Sequence, residues 1–541
     1  MKVYFINPAF PESLWSFSGV ASLVGKRGAF APLGIATIAA CTPPEFEIEI
    51  CDEEIEPINF ETDAEIIALT AFNVQARKAF KIAEEFRRRR KSVAMGGPYA
   101  SLCPEKCMPH VDVVLEGEGE LIWQEFLADY KEGNYKRHYK QKEKISMLSS
   151  PPPRYDLLKI KEYFEFPIQT TRGCPFTCEF CDIIITDGRV PRNKSVEQVL
   201  AEIKKLYELG VGSVVFTDAN FIGSPKYTKE LLLGLKRFGE EHGFPMSFAC
   251  EATINLAAKE NEKILRLMQA ANFDRVFVGV ESPRKSSLVE TKKLVNTRGS
   301  LVENIRKIQS YGMIVVAGMI VGFDSDDKEI FQEQFDFLAE AGIPFTTVGT
   351  LVALENTPLY ERLKKEGRLT DYVYEDFRGH GASDINFIPK QMTLEELRDG
   401  YNWLIRALYS YDNYSKRLLT LLNNFSTNGN KHGHGENKPY LPGFLHTQNK
   451  PYFSPALFKI MKNVLWHYLI TRDTKRRRFF ISSLLETLKG GVNSQRLVGA
   501  LSLLVLHKHF HDYVTKAHGD PEIISSISPY TPRRFRCSTS A

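Results

Sequence analysis

Three cysteines stand within eight positions of the run TRGCPFTCEFCDI (171–183): Cys174, Cys178 and Cys181, spaced CxxxCxxC. In a reducing compartment, thiols this close read as metal ligands rather than disulfides. A structural zinc site would take four ligands, and ferredoxin-type runs also supply four thiolates. Here Asp182 comes next, and the following cysteine, Cys250, lies 69 positions on. Three thiolates on a cubane leave one iron open to a ligand from outside the chain. The open iron of such an electron-rich cluster can hold a molecule that accepts an electron. A structural zinc loop and chance clustering are the plainer alternatives.

The surrounding elements decide what such a loop can face. It follows the apolar run PIQTT and precedes SVEQVLAEIKKLYELG, where Val196, Val199, Leu200, Ile203, Leu206 and Tyr207 form one helical stripe. Ser195 and Gln198 have capping-box spacing, and Gly210 suits the helix stop. The strands SVVFTD, MSFACE, RVFVGVE, MIVVAGMIVG and FTTVGTL follow, with helical segments between them. Six strands in unbroken βα order predict an open, partial (β/α)6 barrel over 165–390, whose ligand chemistry belongs at the carboxyl ends of the strands.

Residues 1–135 alternate in the same way. KVYFI, FEIEI, EIIALTA, SVAMGG and VDVVLEG read as strands, and APLGIATIAA and VQARKAFKIAEEFRRRR as helices. That order predicts a doubly wound, Rossmann-like α/β domain. Residues 136–164 are polar and then proline-rich, a linker. From 391 to 541 the strand signal ends. LEELRDGYNWLIRALY, PALFKIMKNVLWHYLI and RFFISSLLETLKG read as helices, and a Gly-, Asn- and His-rich stretch separates the first two. The fold class is therefore α/β with a helical carboxyl-terminal domain.

A chain of 541 residues is too long for one core, which fits several domains. A net charge of +4 does not by itself mark a nucleic-acid binder, and none is expected as partner. MKVYFINPAF lacks the apolar stretch and cleavage site of a signal peptide, and the ten-residue run LVGALSLLVL is too short to span a bilayer. A cytoplasmic protein is expected. Its nine cysteines are an odd number without a disulfide pattern.

CxxxCxxC with Phe180 before its last cysteine, at the top of a βα barrel, resembles the radical S-adenosylmethionine (SAM) superfamily. The resemblance implies a [4Fe-4S] cluster whose open iron chelates SAM, and one-electron cleavage to a 5′-deoxyadenosyl radical. It implies SAM contacts from Asp218 and Asn220 in TDAN, from Glu251 after FAC, and from Glu281 and Ser282 in GVES. Gly318 and Gly322 of GMIVGFD match the GxIxG pattern whose backbone packs against adenine. Each alone reads more readily as a strand-end turn or helix cap, and it is their order after the cysteine loop that supports the resemblance.

A Rossmann-like domain directly before this barrel resembles the cobalamin-binding class. Gly96 and Gly97 of GGPYAS, and Gly117 and Glu118 of GEGE, stand where that class has its GGP and GE(G/P)E turns. No DxHxxG occurs, so no histidine is marked as a lower cobalt ligand. The whole chain is most similar to the group with this helical tail, among them the hopanoid C-2 methylases, with more distant relatives acting on other lipids or tetrapyrroles. The resemblance implies cobalamin-dependent methylation of an unactivated carbon. The alternative is a cobalamin-independent radical enzyme for ring closure, carbon–carbon coupling or oxidation. Methylthiolation of transfer RNA and a zinc-stabilised binding module fit less well. Expected partners are a small-molecule substrate, lipid among the options, and an external electron donor such as flavodoxin or ferredoxin.

Weaker features have two readings each. Arg172 tunes the cluster's charge or is solvated. Arg189, Arg192 and Lys194 serve anionic parts of a substrate or form a basic surface loop. Cys103 and Cys107 read as ordinary loop cysteines, and RRRR (87–90) as a solvated helix end. KRRRFF (475–480) is a solvent-facing charge run or a peripheral contact with an anionic membrane surface. KHGHG (431–435) is an adventitious metal binder or a mobile loop, and its glycine-rich setting favours the loop.

Overall fold

A computed structural model of the chain describes residues 1–14, 16–23, 25–371, 384–426, 455–489 and 494–523. KHGHG and most of the stretch around it, and Cys537, lie outside these.

The first strand, β1 (Lys2–Asn7), buries both faces. Val3 and Phe5 enter one core with Trp123 and Phe126, while Tyr4 and Ile6 enter another with Phe80 and Phe86. That is the pattern of a parallel strand with helices on both sides. A short strand, β2 (Gly28–Phe30), leaves for a different sheet. Then come β3 (Glu47–Asp52), β4 (Ile66–Thr70), β5 (Ser92–Gly96), β6 (Val113–Glu116) and β7 (His138–Lys140). They form a six-stranded parallel sheet, ordered β3-β1-β4-β5-β6-β7. The helices Ala76–Arg88 and Gly119–Lys131 cover opposite faces.

The stretch read as linker therefore contains the sixth strand. Its three residues, HYK, are too few and too polar to show period-two alternation, and pairing with β6 forms the strand.

The second sheet opens with β8 (Tyr163–Ile168). The pair β9 (Thr171–Arg172) and β10 (Arg192–Asn193) forms a separate antiparallel ribbon. The sheet continues through β11 (Ser213–Phe216), β12 (Ser247–Ala252), β13 (Phe273–Glu281), β14 (Ile314–Val321) and β15 (Thr346–Thr350). All seven strands are parallel, in the order β15-β14-β13-β12-β11-β8-β2. The six expected barrel strands are present, and β2 adds a seventh beside β8. The predicted capping box is formed: the Ser195 hydroxyl accepts from the Gln198 N–H at 3.1 Å, and Gln198 accepts from the Ser195 N–H at 2.8 Å. Gly210 takes φ +86° past the helix Val196–Glu208.

The carboxyl-terminal region is helical: Leu394–Tyr409, Tyr411–Ser426, Pro455–Leu469, Thr474–Lys489 and Ser494–His518. It closes over the β15 edge. The Tyr401 hydroxyl donates to the Val348 carbonyl at 3.2 Å, and the Tyr409 hydroxyl donates to that of Thr346. Buried Arg417 donates to the carbonyl of Ile343 at 3.1 Å. One continuous apolar core runs from the barrel into these helices. Among the described residues, no helix is long and apolar enough to cross a membrane.

Candidate active site

The cysteine loop hangs from the β9–β10 ribbon. Gly173 has φ +95°, and a Cβ there would lie 2.6 Å from the Val190 carbonyl oxygen, so the loop crosses its own return strand only as glycine. The Cys174 N–H donates to Gly188 at 3.1 Å, and the Cys181 N–H to Cys178 at 3.2 Å. Glu179 ties the far side down. Its N–H donates to Thr291, its carbonyl accepts from Leu359, and its carboxylate accepts from Arg362 at 2.6 Å. Phe180 packs against Phe323, ring centres 6.1 Å apart. Cys178 is buried, while Cys174 and Cys181 are partly open. Burial raises the Cys178 thiol, with the Lys293 ammonium opposing, and pushes Cys181 up to about 12, with Asp182 adding to the effect. Three soft donors from one loop, with a cation close by, have the chemistry of iron–sulfur ligands, although among the described residues no three His, Cys, Asp or Glu side chains are drawn together as a metal site.

The other barrel residues collect at the same end of the sheet. Asp218 is fully buried and accepts from the N–H groups of Thr170 (2.6 Å) and Thr171 (2.9 Å) and from the Thr170 hydroxyl (2.5 Å). Its carboxylate thus holds the strand end that leads into Cys174, and burial raises its pKa to about 6. Asn220 accepts from the N–H and hydroxyl of Thr253 at 3.3 and 3.4 Å. Glu251 is different: its side chain is open to solvent yet deep among protein atoms. That depth, with the Asp218 charge, pushes its carboxyl up to about 7. Its register partner on β13 is Phe277, so the two share a face.

Glu281 takes φ +65° and pairs with Lys293 at 2.9 Å. Ser282 is buried, and its hydroxyl accepts from the Arg284 N–H at 3.2 Å. A Cβ on Gly318 would meet the Phe277 ring at 2.7 Å. Gly322, at φ +105°, donates its N–H to buried Asp326 at 3.0 Å. A polar floor closes the opposite end: Arg275 donates to Glu165 and to Asp274 (3.1 Å), and Ser213 and Ser247 donate to the same carboxylates at 2.8 Å.

The carboxyl edge of the first sheet faces this loop. The helix Pro98–Leu102, directly after Gly97, packs on Ile183–Thr186 beyond the cysteines. It also meets the loop after β15, where Asn356 donates to the Leu102 carbonyl at 2.7 Å and Lys106 pairs with Glu355 at 2.6 Å. Gly96 ends β5, and Gly97 (φ +89°) leaves no room for a Cβ beside the Thr70 hydroxyl. Gly117 (φ +111°) sits as closely against Gln141.

Glu118 is committed to protein partners. It accepts both amino groups of Arg192 at 3.0 and 2.5 Å, Gln141 at 2.8 Å and the Ile145 N–H at 2.8 Å, with Arg172 3.7 Å away. Glu120 takes Arg172 at 2.6 Å. The GEGE turn thus grips both strands of the ribbon that carries the cysteines. This corrects the reading of Arg192 and Lys194 as partners for substrate anions: Arg192 is held by Glu118, and Lys194 pairs with Glu202 at 2.6 Å, both side chains buried. Arg189 is exposed. Cys103 donates to Glu355 at 3.4 Å, and Cys107 lies in the core that holds Phe80 and Phe86.

At the switch point between β1 and β4, Phe10 and Phe72 are exposed with rings 5.9 Å apart, an apolar surface suited to a flat ligand. His110 lies flat on Phe80 and bonds Glu84, and His138 bonds Glu116. Neither is offered as a cobalt ligand. Motif reading missed Lys293, Glu120 and Phe72. Glu120 was within the quoted GEGE, but Lys293 stands 12 residues beyond Glu281 with no pattern linking the two.

Residues 168–352 match the radical SAM superfamily, and 357–522 match a Domain of unknown function (DUF4070). The chain is 37% identical to an uncharacterized methyltransferase of Synechocystis sp., over 77% of this chain and 78% of that one. It is 33% identical to the hopanoid C-2 methylase of Rhodopseudomonas palustris, over 72% and 73%. Among solved structures, the cobalamin-dependent SAM radical enzyme OxsB with aqua-cobalamin and SAM bound superposes with TM-score 0.60 at 14% identity, covering 95% of this chain and 80% of that one. The radical SAM methyltransferase TsrM of Kitasatospora setae, with cobalamin and a [4Fe-4S] cluster bound, gives 0.54 at 16%, over 68% and 78%. These likenesses in structure bear on the fold; the sequence identities over most of both chains, joined to the cysteine loop, establish that the chain belongs to the radical SAM methyltransferase family that includes the hopanoid C-2 methylase.

Proposed function

We propose that this enzyme methylates an unactivated carbon of a lipid-like or tetrapyrrole substrate. Its relatives support that range: one acts as a hopanoid C-2 methylase, and two are bacteriochlorophyllide d methyltransferases of Chlorobaculum tepidum. A carbon without an acidic proton is beyond any side-chain base, which calls for radical chemistry. When bound, the cluster and SAM supply a carbon-centred radical and cobalamin supplies the methyl group.

The chain's own part is placement. Cys174, Cys178 and Cys181 hold the cluster. Asp218 keeps the strand end before them in place, while Glu251, Asn220, Glu281 and Ser282 line the SAM end of the barrel. Gly318 lets the backbone approach adenine, and Gly322 sets the turn beyond it. Gly96, Gly97 and Gly117 shape the cobalamin edge, and Glu118 locks it to the cysteine ribbon. Flavodoxin or ferredoxin supplies the electron.

The observation that carries this reading is the meeting of the two carboxyl edges at the cysteine loop, fastened by Glu118 and Glu120 on Arg192 and Arg172. The test is anaerobic reconstitution with iron, sulfide and cobalamin, followed by product analysis with candidate lipids and tetrapyrroles. Both 5′-deoxyadenosine and S-adenosylhomocysteine are expected, and neither from Cys178→Ala. Release of 5′-deoxyadenosine alone would favour ring closure, the chemistry named for a 24% identical relative, the anaerobic magnesium-protoporphyrin IX monomethyl ester cyclase of Cereibacter sphaeroides.

A further inference from the structure

The helices Pro455–Leu469 and Thr474–Lys489 lie side by side on the carboxyl-terminal bundle. Their shared seam is aromatic: Tyr468 stacks on Phe480 with ring centres 5.2 Å apart and meets Phe479 at 5.9 Å, while Phe479 also packs on Tyr411 of the neighbouring helix at 5.1 Å. Val464 and Tyr468 bury one helix, and Phe479, Phe480, Ser483 and Thr487 bury the other. Among the described side chains, these positions form the core-facing stripe of the second helix and of the last turns of the first.

The opposite side should then be polar, and it is not. By helical phase Leu465, Trp466 and Leu469 fall on the outer side of the first helix, and Ile481 and Leu485 on the outer side of the second. All are exposed: Trp466 by 62%, Leu485 by 54%, and Ile470, just past the first helix, by 63%. Single exposed apolar residues are ordinary, but six of them along two adjoining helices, a tryptophan among them, mark a surface that meets something.

Charge indicates what that is. Residues 455–489 carry eight Lys and Arg against two Asp and Glu. Arg476 is taken by Tyr411 and Asp473, and Lys489 by Glu486. Lys462, Arg472, Lys475, Arg477 and Arg478 are exposed. Among the described residues, none of these five stands in an ion pair. Exposed apolar residues that include Trp466, on the same helix pair as five unpaired cations, match the interface of an anionic bilayer: rings and aliphatic chains enter the headgroup level while cations meet lipid phosphates.

We propose that this helix pair is a docking surface for an anionic lipid membrane. The proposal is independent of the substrate reading, since its test measures lipid binding alone.

The test uses the full chain and two kinds of vesicle, phosphatidylcholine alone and phosphatidylcholine with about one third phosphatidylglycerol, in a flotation assay. The protein is expected to float with the anionic vesicles roughly tenfold better, and raising salt is expected to remove most of the difference. Arg477→Glu with Arg478→Glu, and separately Trp466→Ser with Leu485→Ser, are each expected to weaken binding about tenfold or more. Circular dichroism and 5′-deoxyadenosine release should be unchanged in both. Equal flotation on both vesicles, or variants that bind like the parent, would overturn the proposal. So would a lipid-free dimer dissolved by Trp466→Ser with Leu485→Ser, which would make the face a contact between copies. Shielding of Trp466 from acrylamide in the lipid-free monomer would also overturn it, because the chain itself would then cover the face. The salt arm on the unaltered protein decides the matter even if a variant fails to fold.

Discussion

Gly97 has a left-handed backbone at the end of β5, and any side chain there collides with Thr70. Gly97→Ala is expected to lower stability by about 2 kcal/mol, from strain and crowding together, read as a fall in thermal midpoint. Glu251 makes a sharper case. Its folded pKa of about 7 lies above the ordinary 4.5, so the folded chain holds this proton more tightly than the unfolded one. The stabilisation this group carries is full below about pH 4.5 and is lost as pH rises toward 7. Midpoints measured across that window should decline less for Glu251→Gln than for the parent; parallel curves would mean that Glu251 titrates as an exposed acid. Residues with fixed spacing, the three cysteines above all, were legible in the chain. The carboxylates were legible as positions but not as roles: Asp218 reads identically whether it bonds a ligand or, as here, the N–H groups of Thr170 and Thr171.

Elements show the same division. Strong periodicity and a capping box placed the helix Val196–Glu208, and the six barrel strands declared themselves by apolar runs. Strands of three residues did not, because β2 and β7 exist through their neighbours rather than their own pattern. Ion pairs across elements were equally hidden. Arg192 looked like part of a basic loop until the fold brought Glu118 to it from 74 positions away. Both side chains are mostly buried, so removing Glu118 leaves Arg192 charged and without its ion pair. Glu118→Ala is expected to cost about 3 kcal/mol, and the double change Glu118→Ala, Arg192→Ala less than the sum of the singles. Amide exchange should quicken across residues 187–193, where Arg192 also bonds the Asp187 carbonyl. Additive single changes with unaltered exchange would show that the clamp carries no load.

Over the whole molecule, the helical region and the barrel share one apolar core, in which Leu397, Tyr401 and Leu404 meet barrel residues such as Val348. A chain ended after Lys390 would expose that core and the β15 edge. It is expected to elute from a sizing column as aggregate, whereas an independent barrel would elute as a monomer. The fold also bears on synthesis, through β2. Phe30 pairs with Glu165, so a segment made near the start must wait for one made about 135 residues later. At ribosomal speeds that interval is about 7 to 27 s. Throughout it the emerging polypeptide carries Gly28–Phe30 as an unmatched ribbon while β1, β3 and β4 already have the means to assemble around it. The segment between β1 and β3 can therefore settle only once the first barrel strand has left the exit tunnel, and the two units are born tied together rather than as beads on a string.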